Sequence, residues 1–403
     1  MTLFAPVLNN PALRLAGFAM LALGVLNASI YPYQSLIAIE GIGLSEPAFA
    51  MVLVLASVLA VTSAVVIGII GDQRGNRRLI AIVTAFAALI GTVAMMVFPS
   101  PVTLIICHGI LLPIASSLFG QVFALAQLAS TQVSAPKDSI LSVIRAAMSI
   151  SFLAMLIYWT WAFGVGANVM SVYVSAALAA LGLVLLMRLG WPRAGASGWS
   201  DVPAGLNMRA ALTEIARPHV MVRLLFLGAI MASGILYFVL ISLIFDASPL
   251  RGASDVALYV GMVAGWEVPC LLLMPRLLPH ISRASLIAIG GGLYTVHLLM
   301  MPVWTDTNWL WLGTLIAGVA GTAVISLPIS YYQDLLRDRP GAASAMLALQ
   351  KLVADVLAAG AFALGTAIGG YQTVAFIGAA ITILGALGLY LADRHQWLMP
   401  RAA

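Results

Sequence analysis

The sequence predicts an all-α membrane protein in which twelve transmembrane helices form two pseudo-symmetric six-helix bundles. Three observations support this fold class: the composition, a series of long apolar runs, and one long polar connection near the middle. Of the 403 residues, 62% are hydrophobic and 8% are charged, whereas soluble domains carry roughly 25% charged residues. So few charges cannot cover a soluble surface, which excludes a disordered chain, a nucleic-acid-binding domain, a disulfide scaffold and a conventional soluble enzyme.

The apolar runs have the length of membrane-crossing helices. A bilayer core of about 30 Å needs roughly 20 apolar residues of helix, and a helix pairs its backbone polar groups within its own segment. Turn residues or charges separate the runs, as at Pro99–Pro101 between the third and the fourth. We number them as spans one to twelve: 12–38, 47–71, 78–98, 102–129, 139–163, 168–190, 219–245, 254–279, 284–303, 308–335, 341–366 and 371–392.

The long polar connection divides the chain into two halves. Residues 1–190 form the predicted N-terminal bundle, 191–218 a cytoplasmic linker and 219–403 the C-terminal bundle. The first part of the linker is rich in Gly, Pro and Ser, and its second part could form a short surface helix capped by Asn207. Six spans, a linker and six further spans are typical of transporters built from two repeats.

Lysine and arginine positions predict the orientation. If the N-terminus is cytoplasmic, sixteen of the 19 basic residues lie in cytoplasmic loops or ends, and only Arg251 lies on the opposite side. Arg145 and Lys351 fall inside spans. Because basic residues concentrate on the cytoplasmic side of a membrane, we expect both termini to be cytoplasmic. The net charge of +5 is therefore interpreted as a record of orientation.

The loop after span two carries the first family resemblance. It reads GIIGDQRGNRR over residues 68–78 and resembles the signature loop of the major facilitator superfamily, G-x-x-x-D-R-x-G-R-K/R. Gln73 and Asn76 depart from that pattern. The matching positions are Gly68, Asp72, Gly75, Arg77 and Arg78.

These residues are predicted to form a gating motif. Gly75 permits a tight turn between two helices. Asp72 can pair with a basic residue of a neighbouring span and so latch one conformation. An alternative for Arg77 and Arg78 is that they only enforce the orientation.

A narrower resemblance points to the bacterial sugar efflux transporter family, a branch of that superfamily. It is carried by four segments that sample both halves of the chain: QVFALA at 121–126, SVIRA at 142–146, GMVAGWEVP at 261–269, and YQDL at 332–335 running on to RPGAA at 339–343. The resemblance implies a multi-pass protein of the bacterial inner membrane that exports its substrate. Nothing in the residues themselves distinguishes uptake from efflux.

Glu267 is the strongest candidate site residue. An ionisable side chain deep in a span costs at least about 2.5–3.5 kcal/mol on insertion scales, and it is usually turned towards the protein interior. Glu267 lies near the middle of span eight, where it could bind and release a proton or accept hydrogen bonds from substrate hydroxyls. Gly265 and Pro269 can open the helix locally, and Trp266 offers a stacking surface. The alternative is a structural partner for another helix.

Four further charged residues are candidates. Arg145 in span five could bind substrate or hold a carboxylate, or it could reach the interface by snorkelling. Lys351 and Asp355 are spaced i, i+4 in span eleven and can neutralise each other; function and a structural ion pair are equally plausible. This pair departs from the family pattern and also allows a charged ligand. Asp334, at the end of span ten near Arg337, is interpreted as a gating or latch contact.

Uncharged polar residues mark a candidate substrate path. Asn27, Tyr31 and Gln34 recur at i, i+4 and i+7 in span one, and Gln121 lies in span four. The family resemblance implies that the first and fourth helices of each bundle line the central path; the alternative is helix–helix contact through polar side chains. The remaining singletons are interpreted as structural: His108, His297, Cys107 and Cys270.

The predicted function is secondary active transport of a small polar solute, a sugar or a sugar-like compound, by alternating access and proton-coupled efflux. An exporter of drugs, or of a metabolite such as a siderophore, is the alternative. The sequence contains no phosphate-binding G-x-x-x-x-G-K-[ST] segment, so it does not encode an ATP-driven pump. It also contains no cluster of metal ligands or nucleophiles of the kind that would indicate an enzyme. The expected partners are the solute, protons and the lipid bilayer, with no nucleic acid and no cofactor. We expect a monomer.

Overall fold

The computed structural model describes residues 5–74, 77–134, 137–192, 217–335 and 340–394, and all regular structure within these ranges is helical. After a short helix at Ala5–Asn9, the main helices are α1 Pro11–Ile30, α2 Glu46–Arg74, α3 Arg77–Val97, α4 Pro101–Ser130, α5 Lys137–Gly164, α6 Val172–Leu185, α7 Pro218–Asp246, α8 Ala253–Leu277, α9 Arg283–Trp304, α10 Leu310–Leu335 and α11 Pro340–Arg394.

Side-chain caps fix where several helices begin. The Asn10 side chain accepts hydrogen bonds from the backbone N–H groups of Ala12 and Leu13, and Pro11 at the first helical position has no N–H to satisfy. Ser100 and Ser282 cap α4 and α9 in the same way. These polar residues directly precede the apolar runs, and the predicted spans begin within one residue of the starts of these helices.

Several helical segments depart from regular α geometry. The segment of α1 continues through a 3₁₀ turn at Tyr31–Tyr33, which contains Pro32, and a π-type turn at Ile37–Gly41. A second π-type turn, Ile105–Leu111, lies within α4. In α11 the backbone leaves helical geometry at Gly369 and Gly370. Gly370 has φ +76°, a left-handed conformation that favours glycine.

Among the described residues, ten helical segments are long and apolar enough to cross a membrane. Nine of them coincide with predicted spans one to seven, nine and ten. The tenth, Met346–Arg394, covers predicted spans eleven and twelve. Helix α8 coincides with span eight but is not one of the ten. The chain is therefore an all-α, multi-pass membrane protein.

The chain divides into two compact units. The first contains the described residues of 1–44 and 58–205, and the second those of 45–57 and 206–403. The core of the first unit is built from small and branched apolar residues such as Ala16, Met20 and Leu183. The beginning of α2 groups with the second unit, a feature that the sequence analysis does not include. Most of the linker, residues 193–216 with Asn207, lies outside the described residues.

Candidate functional site

Glu267 lies in the middle of α8, where the helix packs closely against α10. The close approach depends on Gly318 of α10, because a Cβ atom there would stand 2.5 Å from the Cβ of Trp266 and 2.9 Å from the carbonyl oxygen of Val263. Only a glycine allows two backbones to come this near. The expected local opening of α8 at Gly265 and Pro269 is absent, since α8 is helical throughout Ala253–Leu277.

The carboxylate of Glu267 meets two other helices at a second glycine. A Cβ atom at Gly321 of α10 would stand 2.6 Å from Oε1 of Glu267 and 3.0 Å from the hydroxyl oxygen of Tyr294. A carboxylate from α8, a phenol from α9 and the bare backbone of α10 therefore converge on one point. The Thr322 hydroxyl lies beside them, 2.8 Å from the Gly318 carbonyl oxygen that accepts its hydrogen bond.

Next to Glu267, Trp266 leaves 40% of its surface exposed. An exposed indole beside a half-buried carboxylate can stack against the apolar face of a ligand while the carboxylate accepts hydrogen bonds from it. Their role in binding remains a prediction.

A buried histidine–tyrosine cluster lies beyond Tyr294. His297 of α9 is within 3.0 Å of the Tyr259 hydroxyl of α8 through its Nε2, and its ring meets that of Tyr237 of α7 edge to face at 5.2 Å. The Nδ1 of His297 and the hydroxyl of Tyr237 are buried without a partner in the described part of the chain. Sequence reasoning interpreted His297 as a lone structural histidine, because spacing along the chain does not reveal contacts between three helices.

Lys351 and Asp355 of α11 form the ion pair that their i, i+4 spacing predicts. The Nζ of Lys351 lies 2.6 Å from Oδ2 of Asp355, and the same oxygen accepts a 2.5 Å hydrogen bond from the Ser57 hydroxyl. Asp355 is only 7% exposed, whereas half of the Lys351 side chain is exposed. Ser57 and Asp355 lie far apart in the sequence, so spacing along the chain does not predict their contact.

The polar candidates of the first unit have unequal surroundings. Tyr31 is 43% exposed, Asn27 and Gln34 are half-buried, and the 3₁₀ turn at Tyr31–Tyr33 interrupts the regular helical stripe that the sequence analysis expects. Gln121 is buried, and its Oε1 has no partner in the described part of the chain. Arg145 is exposed, so the structure does not bury it in an ion pair.

The first unit also has a buried histidine with a tyrosine partner. The Nε2 of His108 lies 2.7 Å from the Tyr173 hydroxyl. The contact satisfies a buried polar atom on each side chain, as buried polar groups require. A structural role, as interpreted from the sequence, needs nothing further.

The gating motif is described only in part. Gly68, Asp72 and Gly75 fall outside the part of the chain whose side chains the structure describes. Arg78 donates a 2.7 Å hydrogen bond to the backbone carbonyl of Arg188. Asp334 forms an ion pair with Arg283 of α9, a partner that the sequence did not identify; the expected neighbours Arg337 and Arg339 lie outside the described residues.

The most deeply buried charge among the described residues was not singled out from the sequence. Arg223 of α7 was counted with the cytoplasmic loops, but its side chain is 0% exposed. It donates hydrogen bonds to the Tyr331 hydroxyl at 3.0 Å and to the carbonyl oxygens of His219 and Ala392. Its position near the start of an apolar helix was the available signal, since a charge there must find partners inside the protein.

A cavity of about 290 Å³ lies at the end of the second unit that contains the Arg283–Asp334 ion pair. Asp393 and Tyr331 also line it, and the Tyr331 hydroxyl donates a 3.3 Å hydrogen bond to Asp393. Glu267 is not part of its lining. Among the described residues, no group of three or more His, Cys, Asp or Glu could hold a metal ion.

Comparison with known proteins supports the resemblance read from the sequence. The chain is 28% identical over 393 residues to a Deinococcus radiodurans protein described as "Putative sugar efflux transporter", covering 93% of this chain and 95% of that protein. No family model matches the chain. The predicted resemblance to the sugar efflux branch of the major facilitator superfamily is thereby confirmed.

Solved structures show the same fold. The crystal structure of the nucleoside transporter NupG superposes with a TM-score of 0.76 at 15% identity, covering 96% of this chain and 99% of that chain. The peptide transporter POT in complex with sulfate gives a TM-score of 0.74 at 12% identity, covering 96% and 95%. At such low identities the likeness concerns the fold alone.

Proposed function

We propose that this chain is a secondary active transporter that moves a small polar solute, a sugar or sugar-like compound, across the membrane by alternating access. One observation carries the proposal: the similarity to a protein described as a sugar efflux transporter extends over 93% of the chain. The fold shared with nucleoside and peptide transporters agrees with it. Under this proposal the chain has twelve spans in two six-helix bundles, 1–190 and 219–403, joined by the linker 191–218.

The proposed substrate contacts centre on Glu267 and Trp266. Sugars present hydroxyl groups along their edges and C–H groups on their faces, so a carboxylate acceptor beside an exposed aromatic ring suits them. A substrate-binding or coupling role of Asn27, Tyr31, Gln34, Gln121 and Arg145 is also part of the proposal. The gating role of Gly68, Asp72, Gly75, Arg77, Arg78 and Asp334 is part of the same proposal.

We further propose that transport is coupled to protons and runs outwards. A carboxylate inside an apolar helix can be neutral or charged, and the cost of the charge in the membrane makes its protonation sensitive to its surroundings. Glu267 is the proposed proton carrier, with the buried Asp355 as a second candidate. The proposed location is the bacterial inner membrane with both termini cytoplasmic, based on the distribution of basic residues and on the family resemblance.

The second candidate function is export of a charged or amphipathic compound such as a drug or a siderophore. The specific observation in its favour is the Lys351–Asp355 pair, in which half of the lysine side chain is exposed and available to an anionic group. In this case Lys351, rather than Glu267, would dominate binding.

A ligand-stabilisation screen distinguishes the two functions. The purified protein is heated with monosaccharides and disaccharides in one panel and with cationic dyes and hydroxamate siderophores in another. We expect sugars to raise the unfolding temperature of the wild type, and to raise that of Glu267→Gln by less at the same sugar concentration. Stabilisation by siderophores alone, lost in Lys351→Met and retained in Glu267→Gln, or stabilisation by cationic dyes alone, would contradict the sugar proposal.

A further inference from the structure

The side chain of Glu267 does not point freely into space; it is directed at the backbone of α10. Its Oε1 lies 2.6 Å, and the Tyr294 hydroxyl oxygen 3.0 Å, from the position that a Gly321 Cβ atom would occupy. The two oxygens therefore lie on the same side of α10, around the same missing side chain. Any larger residue at 321 would fill the space in which they meet.

The Tyr294 hydroxyl is buried close to this carboxylate. Its side chain is only 3% exposed, and its hydroxyl also faces α7, at 3.8 Å from the Cβ position of Gly234. Glycines thus leave room for the phenol on α10 and on α7. A buried phenolic O–H needs an acceptor, and an ionised carboxylate is the strongest acceptor that a neutral donor can find.

Several titratable groups lie near Glu267, and they differ in their contacts. Tyr237 of α7 and Tyr294 both lie near enough to Glu267 for its charge to act on them. His297 and Tyr259 are occupied with each other at 3.0 Å. Helix α10 faces Glu267 with Gly318, Gly321 and Thr322, none of which titrates. Tyr294 is the group that shares the space at Gly321 with the carboxylate.

We propose that Tyr294 is a positioning residue that holds the Glu267 carboxylate through its hydroxyl, and that Gly321 provides the space in which the two meet. This inference rests on the proposed function only for its consequence in transport. The phenol donates to the ionised carboxylate, and on protonation the carboxyl O–H becomes the donor and the phenol oxygen the acceptor. Tyr294 would thereby orient Glu267 in both states while favouring the ionised one.

Infrared spectroscopy tests the contact without any transport. The C=O stretch of protonated Glu267 is assigned as the band that disappears in Glu267→Gln, and it is followed by titration. We expect Tyr294→Phe, which keeps the ring and removes only the hydroxyl, to shift this band and to raise its titration midpoint by about one pH unit, because a charge-assisted hydrogen bond is lost. An unchanged band position and midpoint in a folded variant would overturn the proposal.

Gly321→Ala provides a second, independent variant, with Gly292→Ala of α9 as its control. A Cβ atom at 292 meets nothing within 4 Å. We expect Gly321→Ala to shift the Glu267 band and Gly292→Ala to leave it unchanged. Equal spectra for both alanine variants and the wild type would contradict the geometry.

A transport assay separates this inference from the proposed function. If the wild type moves its solute in response to a pH gradient, Tyr294→Phe is expected to displace the pH profile of transport upwards by about one unit with little change in KM for the solute. A displaced Glu267 band together with an absence of transport in the wild type would keep the positioning role and refute the transporter proposal. Unchanged band and pH profile in a transporting protein would refute the positioning role alone.

Discussion

The charged side chains within the apolar helices differ in what they contact, and the contacts rank their roles. Arg223 is entirely buried, and its three hydrogen bonds go to a phenol and two backbone carbonyls, which fits a structural role. Glu267 instead lies beside an exposed indole, and its carboxylate meets one tyrosine at a glycine. An ionisable side chain within an apolar helix is a functional candidate by default.

The Lys351–Asp355 pair gives a prediction at the residue scale, because its two members are buried to different degrees. Lys351→Met leaves a buried carboxylate whose remaining hydrogen bond in the described part of the chain comes from Ser57, whereas Asp355→Asn leaves an ammonium group on a half-exposed side chain. We expect Lys351→Met to lower the free energy of unfolding by about 2 kcal/mol and Asp355→Asn by about 1 kcal/mol. Thermal unfolding of both variants in detergent measures the difference.

The double variant Lys351→Met/Asp355→Asn completes this comparison. We expect its loss of unfolding free energy to be smaller than the sum of the losses in the two single variants. Each single variant leaves one charge unpaired, whereas the double variant removes both charges. Strictly additive effects, or a larger effect for Asp355→Asn, would contradict an ion pair in which the carboxylate is the buried partner.

At the scale of the element, the sequence predicts where helices lie better than how they bend or touch. The runs 219–245 and 284–303 correspond to α7 and α9 within one residue at each end, because apolar length and flanking Pro, Ser and Asp residues decide those boundaries. The 3₁₀ turn in the α1 segment and the contact of α8 with α10 were not predicted. They depend on which neighbour packs against a given face, and a single sequence does not contain that information.

The close contact of α8 with α10 gives a prediction at this scale. Gly318→Ala places a methyl group 2.5 Å from the Trp266 Cβ, so the helices must separate. We expect the free energy of unfolding to fall by about 2–3 kcal/mol, as for overpacked cores. Thermal unfolding of the purified variant measures the change.

Gly265→Ala of α8 is the matched control. A Cβ atom there meets nothing within 4 Å, and alanine favours helix over glycine by about 1 kcal/mol. We therefore expect unchanged or slightly greater stability. A loss comparable to that of Gly318→Ala would show that α8 needs flexibility at Gly265, which the unbroken helix of the structure does not support.

At the scale of the whole molecule, composition alone establishes a multi-pass membrane protein. With only 8% charged residues, the chain cannot cover a water-exposed surface, so much of its surface must face lipid. The candidate site could be predicted in part: Glu267 and Trp266 stand out as polar and aromatic residues within an apolar run. Tyr294 and Gly321 could not, because neither residue type is unusual in a membrane helix. Their meaning arises only when three helices bring them to the same point.

The central claim, that this chain is a proton-coupled transporter in which Glu267 carries the proton, is tested most directly by efflux from proteoliposomes. The vesicles are loaded with a radiolabelled sugar identified by the stabilisation screen, and an inwardly directed proton gradient is imposed. We predict that the gradient accelerates efflux through the wild type at least tenfold, and that Glu267→Gln loses this acceleration while it still exchanges labelled for unlabelled sugar. Efflux through the wild type that ignores the gradient, or a full response in Glu267→Gln, would contradict the claim.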